Sequence, residues 1–185
     1  MSPSDSVIQG QWKIDEKSEI TSKGVKWSLH ELLDGSPYQD SFKDGTYIHM
    51  FLNVNDYHRY HVPVRGIIRE ARNIHGKVVS DVLRKSDGTL DDIIGPTFQF
   101  NQERGLVVIE SPVGLVAVLP IGMAQVSSVN LNVEVGVELF KGQEFGYFAF
   151  GGSDIVVLFE KDRVKITAEA GTHHLQGQTI ATANK

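Results

Sequence analysis

The stretch LVVIESPVGLVAVLP, residues 106–120, decides the fold class of this chain. Its two ends, residues 106–110 and 115–120, are short apolar runs rich in β-branched residues, which is typical of strands. The four residues between them include Pro112 and Gly114, and this composition favours a tight turn. The stretch therefore predicts a β-hairpin.

Strand patterns dominate the rest of the chain as well. Polar residues alternate with valine and leucine over residues 126–137, which is typical of a half-buried strand. A glycine-rich turn at 135–146 is similar to turns of barrel-sandwich domains that carry biotin or lipoate, although positive φ at hairpin glycines explains it more simply. We therefore predict a mostly β fold (α+β with few short helices), barrel-sandwich-like, in a single domain of residues 1–185. Further strands are predicted at 46–52, 147–150, 155–159 and 163–168.

Helix patterns are few. The best of them predicts a helix at 28–33, where Ser28 and Glu31 could form a capping box and Gly35 ends the helix. A second short helix is predicted to begin at 81–84.

Composition excludes several classes of protein. The chain has 185 residues, 41% hydrophobic and 22% charged, as in soluble domains that bury a core. A net charge of −5 disfavours nucleic-acid binding. The absence of cysteine excludes disulfides, thiolate nucleophiles and cysteine metal sites. The first residues lack the pattern of a secretory signal, and no apolar run reaches the ~18 residues of a spanning helix. We therefore expect a cytoplasmic protein, soluble or peripherally associated with a membrane.

One local basic patch consists of Arg65, Arg69, Arg72 and Lys77. It is more simply a solvated strand edge than a binding surface for nucleic acid.

Two histidines lie three residues apart in the segment from Asp56 to His61. A bend there would bring His58 and His61 to one cleft, and Pro63 keeps the following chain extended. They can equally be ordinary polar residues at the entrance of a strand. A metal site that adds His49 is a third interpretation, although the spacing is not typical of one.

A single serine follows two glycines in Phe150-Gly151-Gly152-Ser153. Glycine supplies the flexibility that a serine needs to attack its own backbone, yet the same composition is common in turns. The segment does not fit the Gly-x-Ser-x-Gly nucleophile elbow, because Ile155 occupies the last position.

Several segments together resemble the phosphatidylserine decarboxylase family, in the order in which that family has them. Residues 2–5 (SPSD) resemble its Ser-Pro-x-Asp-Gly segment, and residues 56–64 (DYHRYHVPV) resemble its Asp-Tyr-His-Arg-x-His-x-Pro segment. Residues 141–153 (KGQEFGYFAFGGS) are similar to its stretch that ends in Gly-Ser-Thr. Residues 23–24 and 27–33 look like the family's segment between the first two.

The resemblance implies a self-cleaving chain with a covalent pyruvoyl cofactor. Ser153 would attack the Gly152 carbonyl to form an ester, and removal of the Ser153 Cα proton would then break the chain between these two residues. His61 matches the family's base, and Asp5 matches the aspartate that orients this base. The products would be a large chain of residues 1–152 and a small chain of residues 153–185 that begins with the pyruvoyl group.

The resemblance also implies a decarboxylation. The pyruvoyl group would form a Schiff base with the substrate amine, without pyridoxal phosphate and without a metal, and His58 matches the residue that protonates the product. The expected substrate is phosphatidylserine, which yields phosphatidylethanolamine and CO₂. A free, aromatic amino acid is the alternative, as in a soluble branch of the family, and a non-catalytic β-barrel binding relative is a further one. The enzyme could be a homodimer.

Three differences from the family pattern bear on these roles. Ser6 replaces the glycine after Asp5, and Asp154 replaces the threonine after Ser153. The N-terminal sequence with which the lipid enzymes touch the membrane does not precede Asp5, so we expect that part to be missing. Candidates for the apolar lining of a substrate pocket, or more simply for the core, are Tyr57, Tyr60 and Met123.

Overall fold

The computed structural model describes residues 1–22, 25–76, 82–84, 86, 90–92, 102–122, 128–149 and 153–184. The described helices are α1 (Leu29–Leu33) and the 3₁₀ helix Gln39–Phe42. No helix in this part of the chain is long and apolar enough to cross a membrane. The described strands are β1 (Ser6–Lys13), β2 (Glu19–Ser22), β3 (Val25–Ser28), β4 (Thr46–Leu52), β5 (Arg59–His61), β6 (Gly66–Ile74), β7 (Val82–Arg84), β8 (Leu90–Asp92), β9 (Arg104–Ser111), β10 (Gly114–Gly122), β11 (Val129–Leu131), β12 (Glu138–Leu139), β13 (Glu144–Phe148), β14 (Ser153–Phe159), β15 (Val164–Ile166), β16 (His173–His174) and β17 (Ala181–Ala183).

Eight of these strands form one antiparallel sheet in the order β12-β6-β9-β10-β14-β4-β1-β16. The predicted hairpin of β9 and β10 lies inside this sheet, and Gly114 closes its turn with a φ of 87° that favours glycine. The hydroxyl of Ser111 donates to the Gly114 carbonyl at 2.7 Å. The prediction of a mostly β fold is therefore confirmed.

The central strands of the sheet are buried on both faces, which explains their nearly continuous apolar sequences. In β14, Ile155 and Val157 face one core, whereas Val156 and Leu158 face the other, as side-chain alternation requires. The three-stranded sheet β11-β13-β5 covers the first core. Helix α1 and the 3₁₀ helix cover the second core.

The strand predicted at 126–137 is shorter than expected. Residues 126–127 lie outside the described part, and the strand that follows is only Val129–Leu131. The chain then turns at Gly136, whose φ is 90° and whose amide donates to the Ile68 carbonyl at 2.8 Å, and so it joins the large sheet. Val135 and Val137 are exposed. The apolar alternation therefore runs on through a turn and is not evidence of a strand there.

The two helix predictions have different outcomes. The helix predicted at 28–33 is present as α1, but Ser28 makes no side-chain capping hydrogen bond, so the capping box is absent. The helix ends as predicted, with positive φ at Asp34 and Gly35. The second helix prediction is wrong for residues 82–84, because β7 pairs with β8; Asp81 lies outside the described residues.

Candidate active site

Ser153 is the first residue of β14 and lies between two neighbouring strands. It pairs with Leu52 at the end of β4 and with Gly122 at the end of β10. Its side chain is 0% exposed, and its Oγ has no hydrogen-bond partner among the described residues. Gly152 and the two residues before it lie outside the described part. The structure thus gives a buried, unpaired hydroxyl at the start of a strand.

The next residue, Asp154, points to the opposite face of the sheet, because successive side chains of a strand alternate. Its carboxylate Oδ1 lies 3.1 Å from Nε2 of His49 in β4. The Asp154 side chain is 1% exposed and the His49 side chain 14% exposed. Burial, and then the charge of Asp154, raise the pKa of the Tyr47 phenol far above its ordinary value. An acidic residue next to Ser153 is therefore held inside the second core.

His58 lies in the loop 53–58, which directly follows the strand that pairs with Ser153. Its Nδ1 is 2.5 Å from the Asp56 carbonyl oxygen. Because a carbonyl only accepts, Nδ1 must carry the proton, and Nε2 is the basic nitrogen of the neutral ring. The ring meets Phe148 edge-on with centroids 6.3 Å apart, and the Phe148 amide donates to the His58 carbonyl at 2.9 Å. These contacts orient the imidazole.

His61 has the same proton arrangement in a different setting. Its Nδ1 donates to the Gly142 carbonyl at 2.8 Å, and its Nε2 lies 3.1 Å from the Tyr57 hydroxyl, whose ring stacks on the imidazole. Burial, and then the charge of Glu144, raise the pKa of Tyr57, so its hydroxyl stays protonated and can donate to Nε2 or accept from it once His61 is protonated. The contacts described above join His58 and His61 to different residues.

The carboxylate of Asp5 accepts a hydrogen bond from the Gln176 amide at 2.7 Å. The N-terminal segment is held against β5, because the His61 amide donates to the Pro3 carbonyl at 2.8 Å. Among the described contacts, no direct hydrogen bond joins Asp5 to His61. Tyr57 links the two, because it contacts His61 and because its pKa is raised mainly by burial and further by the charge of Asp5.

The other predicted lining residues lie in different environments. Tyr60 is a core residue, and its hydroxyl donates to the carbonyls of Asn130 and Tyr147 at 2.6 and 3.0 Å. Tyr57 is exposed, and Met123 lies outside the described residues. Within the described residues, no three histidine or carboxylate side chains are grouped as metal ligands would be.

Sequence reasoning missed two histidine–carboxylate contacts at this site, His49 with Asp154 and His173 with Asp56. Both join residues more than a hundred positions apart, and neither has a local sequence pattern. Alternation along β4 and β14 could have placed His49 and Asp154 on one face, but only if the pairing of the two strands had been known.

Comparison with known proteins gives consistent matches. The family model described as phosphatidylserine decarboxylase matches residues 1–182. The phosphatidylserine decarboxylase proenzyme 2 of Oryza sativa subsp. japonica is 32% identical over 165 residues, which are 89% of this chain and 26% of that protein. The phosphatidylserine decarboxylase proenzyme of Fusobacterium nucleatum is 31% identical over 168 residues, 90% of this chain and 54% of that protein. The L-tryptophan decarboxylase of Psilocybe cubensis is 28% identical over 163 residues, 82% and 37% of the respective chains. The chain thus spans 26% to 54% of the length of these three relatives.

Proposed function

This chain belongs to the phosphatidylserine decarboxylase family, and on that basis we propose that it is a self-processing decarboxylase that makes a pyruvoyl group from Ser153. Its substrate carries an amine and a carboxylate on the same carbon, and its products are CO₂ and the corresponding amine. No separate cofactor and no metal take part.

The observation that carries this proposal is the state of Ser153. A buried hydroxyl without a partner costs about 1–3 kcal/mol, so folded proteins rarely keep one without a use. Ser153 Oγ is such a group among the described residues, and so is Ser4 Oγ, but only Ser153 also follows the glycine pair that resembles the family's cleavage segment. The position of Ser153 also suits a pyruvoyl group. A carbonyl formed at this buried position between β4 and β10 would be shielded from bulk water.

The proposed cut lies between Gly152 and Ser153. Ser153 Oγ attacks the Gly152 carbonyl carbon, and the amide nitrogen leaves as an amine, which gives an ester. Removal of the Ser153 Cα proton then expels the Gly152 carboxylate. Hydrolysis of the resulting dehydroalanine releases ammonia and leaves the pyruvoyl group at the start of residues 153–185.

His61 is the proposed base for this proton removal. Its Nδ1 proton is engaged by the Gly142 carbonyl, so Nε2 is the nitrogen that can take a proton. Tyr57 contacts that nitrogen, and its stacked ring limits rotation of the imidazole. Asp5 is proposed to stabilise the protonated His61 through its charge and through Tyr57.

At the position of Ser153, a pyruvoyl group would supply an electrophilic carbonyl for a substrate amine and a sink for the electrons of a departing carboxylate. His58 is the proposed acid that returns a proton to the product carbon. Its Nδ1 proton is engaged by the Asp56 carbonyl, so Nε2 exchanges the proton. Imidazole suits this step because it titrates near neutral pH.

Phosphatidylserine is the first substrate candidate. Three exposed apolar side chains lie on or next to the elements around His58, namely Val54 and Tyr57 on its loop and Leu175 directly after β16. We propose that the acyl chains of the lipid contact these side chains. A free aromatic amino acid is the second candidate, supported by the match to a tryptophan decarboxylase.

Intact-mass spectrometry of the denatured protein tests the self-cleavage. We expect two fragments that end at Gly152 and begin at residue 153, the second lighter by one ammonia than its serine form. Ser153→Ala should leave a single chain. Ser4→Ala is the matched control, because Ser4 is also buried with an unpaired Oγ among the described residues, and this variant should be cut normally. A single uncut wild-type chain would refute the proposed function and favour a non-catalytic binding protein.

Release of CO₂ from two labelled substrates distinguishes the substrate candidates. Carboxyl-labelled phosphatidylserine in mixed micelles and carboxyl-labelled tryptophan in buffer would be given to the processed protein. Turnover of the lipid alone assigns the lipid substrate, and turnover of tryptophan alone assigns the amino acid. Processed protein that turns over neither would contradict both substrate assignments while leaving the cleavage intact.

A further inference from the structure

His173 contacts the loop that carries His58 through a hydrogen bond to Asp56. Its Nε2 lies 3.0 Å from Oδ1 of Asp56, and the His173 and Asp56 side chains are 40% and 14% exposed. His173 lies in β16 at the edge of the large sheet, where it pairs with Val7 of β1. If the chain is cut before Ser153, the pair joins the small chain to the large one.

Asp56 is also the residue that shapes this loop. Its second carboxylate oxygen accepts a hydrogen bond from the Asn53 amide at 2.8 Å, and its own amide donates to the Asn53 carbonyl at 2.9 Å. Burial acts to raise the pKa of Asp56, but the Asn53 hydrogen bonds and His173 outweigh it, and the pKa lies below its ordinary value. The carboxylate is therefore ionised at neutral pH and holds Asn53 and His173 together.

The backbone of the same residue sets the proton position of His58. The Asp56 carbonyl accepts from His58 Nδ1 at 2.5 Å, which places the ring proton on that nitrogen. Asp56 thus contacts His173 and the Asn53 amide through its carboxylate, and His58 through its backbone carbonyl.

We propose that His173 is a positioning residue for His58: by pairing with Asp56 it holds the loop 53–58 so that His58 keeps its proton on Nδ1 and presents Nε2. The catalytic consequence rests on the proposed function, but the loop geometry does not. His173 does not touch the reacting atoms in this scheme, and its effect passes entirely through Asp56.

Ring ¹⁵N NMR of His58 tests the positioning directly. It would be recorded on the full chain carrying Ser153→Ala, which keeps all samples uncut. His173→Ala should move the His58 ring signals toward a mixture of tautomers, and His173→Gln, which keeps a hydrogen-bond donor, should largely restore them. His174→Ala is the control, because His174 is the neighbouring residue of β16 and contacts Thr172 at 3.4 Å. Unchanged His58 signals in His173→Ala, or equal changes in His174→Ala, would overturn the proposal.

Asp56→Asn provides a second variant that tests the same link. Loss of the carboxylate should change the His58 signals as His173→Ala does. If the His58 signals were unchanged in Asp56→Asn, the carboxylate would not hold the loop and the proposal would fail.

Kinetics on the cut enzyme then separates this inference from the proposed function. His173→Ala should be cleaved like wild type and should lower kcat about threefold to fivefold with little change in KM, as expected for the loss of one partly exposed polar contact. His174→Ala should keep the wild-type kcat. Equal kcat in all three proteins overturns the catalytic role of His173. A wild type that is neither cut nor active refutes the proposed function, while the NMR result still decides the positioning.

Discussion

The His49–Asp154 pair makes a quantitative prediction about stability. His49→Ala removes the histidine partner of a carboxylate that is 1% exposed. Breaking a buried pair by removing one partner costs about 3–5 kcal/mol. The 14% exposure of His49 lets water approach, so we expect the lower end of this range, about 3 kcal/mol. A protein of this size loses roughly 2–4 °C of Tm per kcal/mol, which predicts a decrease of about 6–12 °C.

A second pair in the same protein provides the matched control. His30 and Asp40 lie 2.9 Å apart, but their side chains are 44% and 79% exposed. Exposed pairs of this kind contribute about 0–1 kcal/mol, because water screens the charges. His30→Ala should therefore lower the free energy of unfolding by less than about 1 kcal/mol, although the chemical change is the same.

Urea denaturation followed by circular dichroism measures both variants. All samples would carry Ser153→Ala so that each remains one chain. His49→Ala, Asp154→Asn and the double variant complete a double-mutant cycle, and we expect a coupling free energy of about 1–3 kcal/mol. The double variant should be more stable than the sum of the single losses predicts.

Two results would refute this reasoning. Equal, small losses in His49→Ala and His30→Ala would show that burial does not strengthen the inner pair. Strict additivity in the cycle would show that the losses arise from packing and not from the contact between His49 and Asp154.

Three further predictions follow from other contacts. Gly146→Ala should destabilise the fold by about 2–3 kcal/mol in urea denaturation, because the added Cβ collides with the Tyr60 ring; a loss below about 0.5 kcal/mol would contradict this packing. Tyr57→Phe should slow the proposed self-cleavage about threefold to tenfold in a mass-spectrometric time course, because it removes one hydrogen bond to His61. An unchanged rate would show that Tyr57 does not assist the cleavage. The folded-state pKa of Asp56 is lowered. The contribution of this carboxylate to the stability of the fold is therefore present above its ordinary pKa of about 4, and it is lost as the pH falls through the lowered value. Asp56→Asn should thus be less stable than wild type at pH 7, with a difference that shrinks below pH ~4; a constant difference across that range would rule out this titration.

Much of the fold was predictable because its signals are local. The hairpin of β9 and β10, the strand Thr46–Leu52 and the helix at 28–33 follow from composition, alternation and turn residues, and all three are present. The predictions failed where a local pattern competed with a distant partner. Alternation continues past Leu131 although the chain turns toward β6, and residues 82–84 pair as a strand with β8.

The sequence by itself determined the mostly β fold, the family and the identity of Ser153, His58, His61 and Asp5 as candidates, because these depend on residue types and their order. It could not determine what those side chains contact. The partner of His61 Nδ1 lies 81 positions away, and His173 lies 117 positions from Asp56. Only the antiparallel registers of the folded chain bring such residues together. Alternation puts Ser153 and Asp154 on opposite faces of the sheet, but only the layers packed on the sheet decide which core each of them faces.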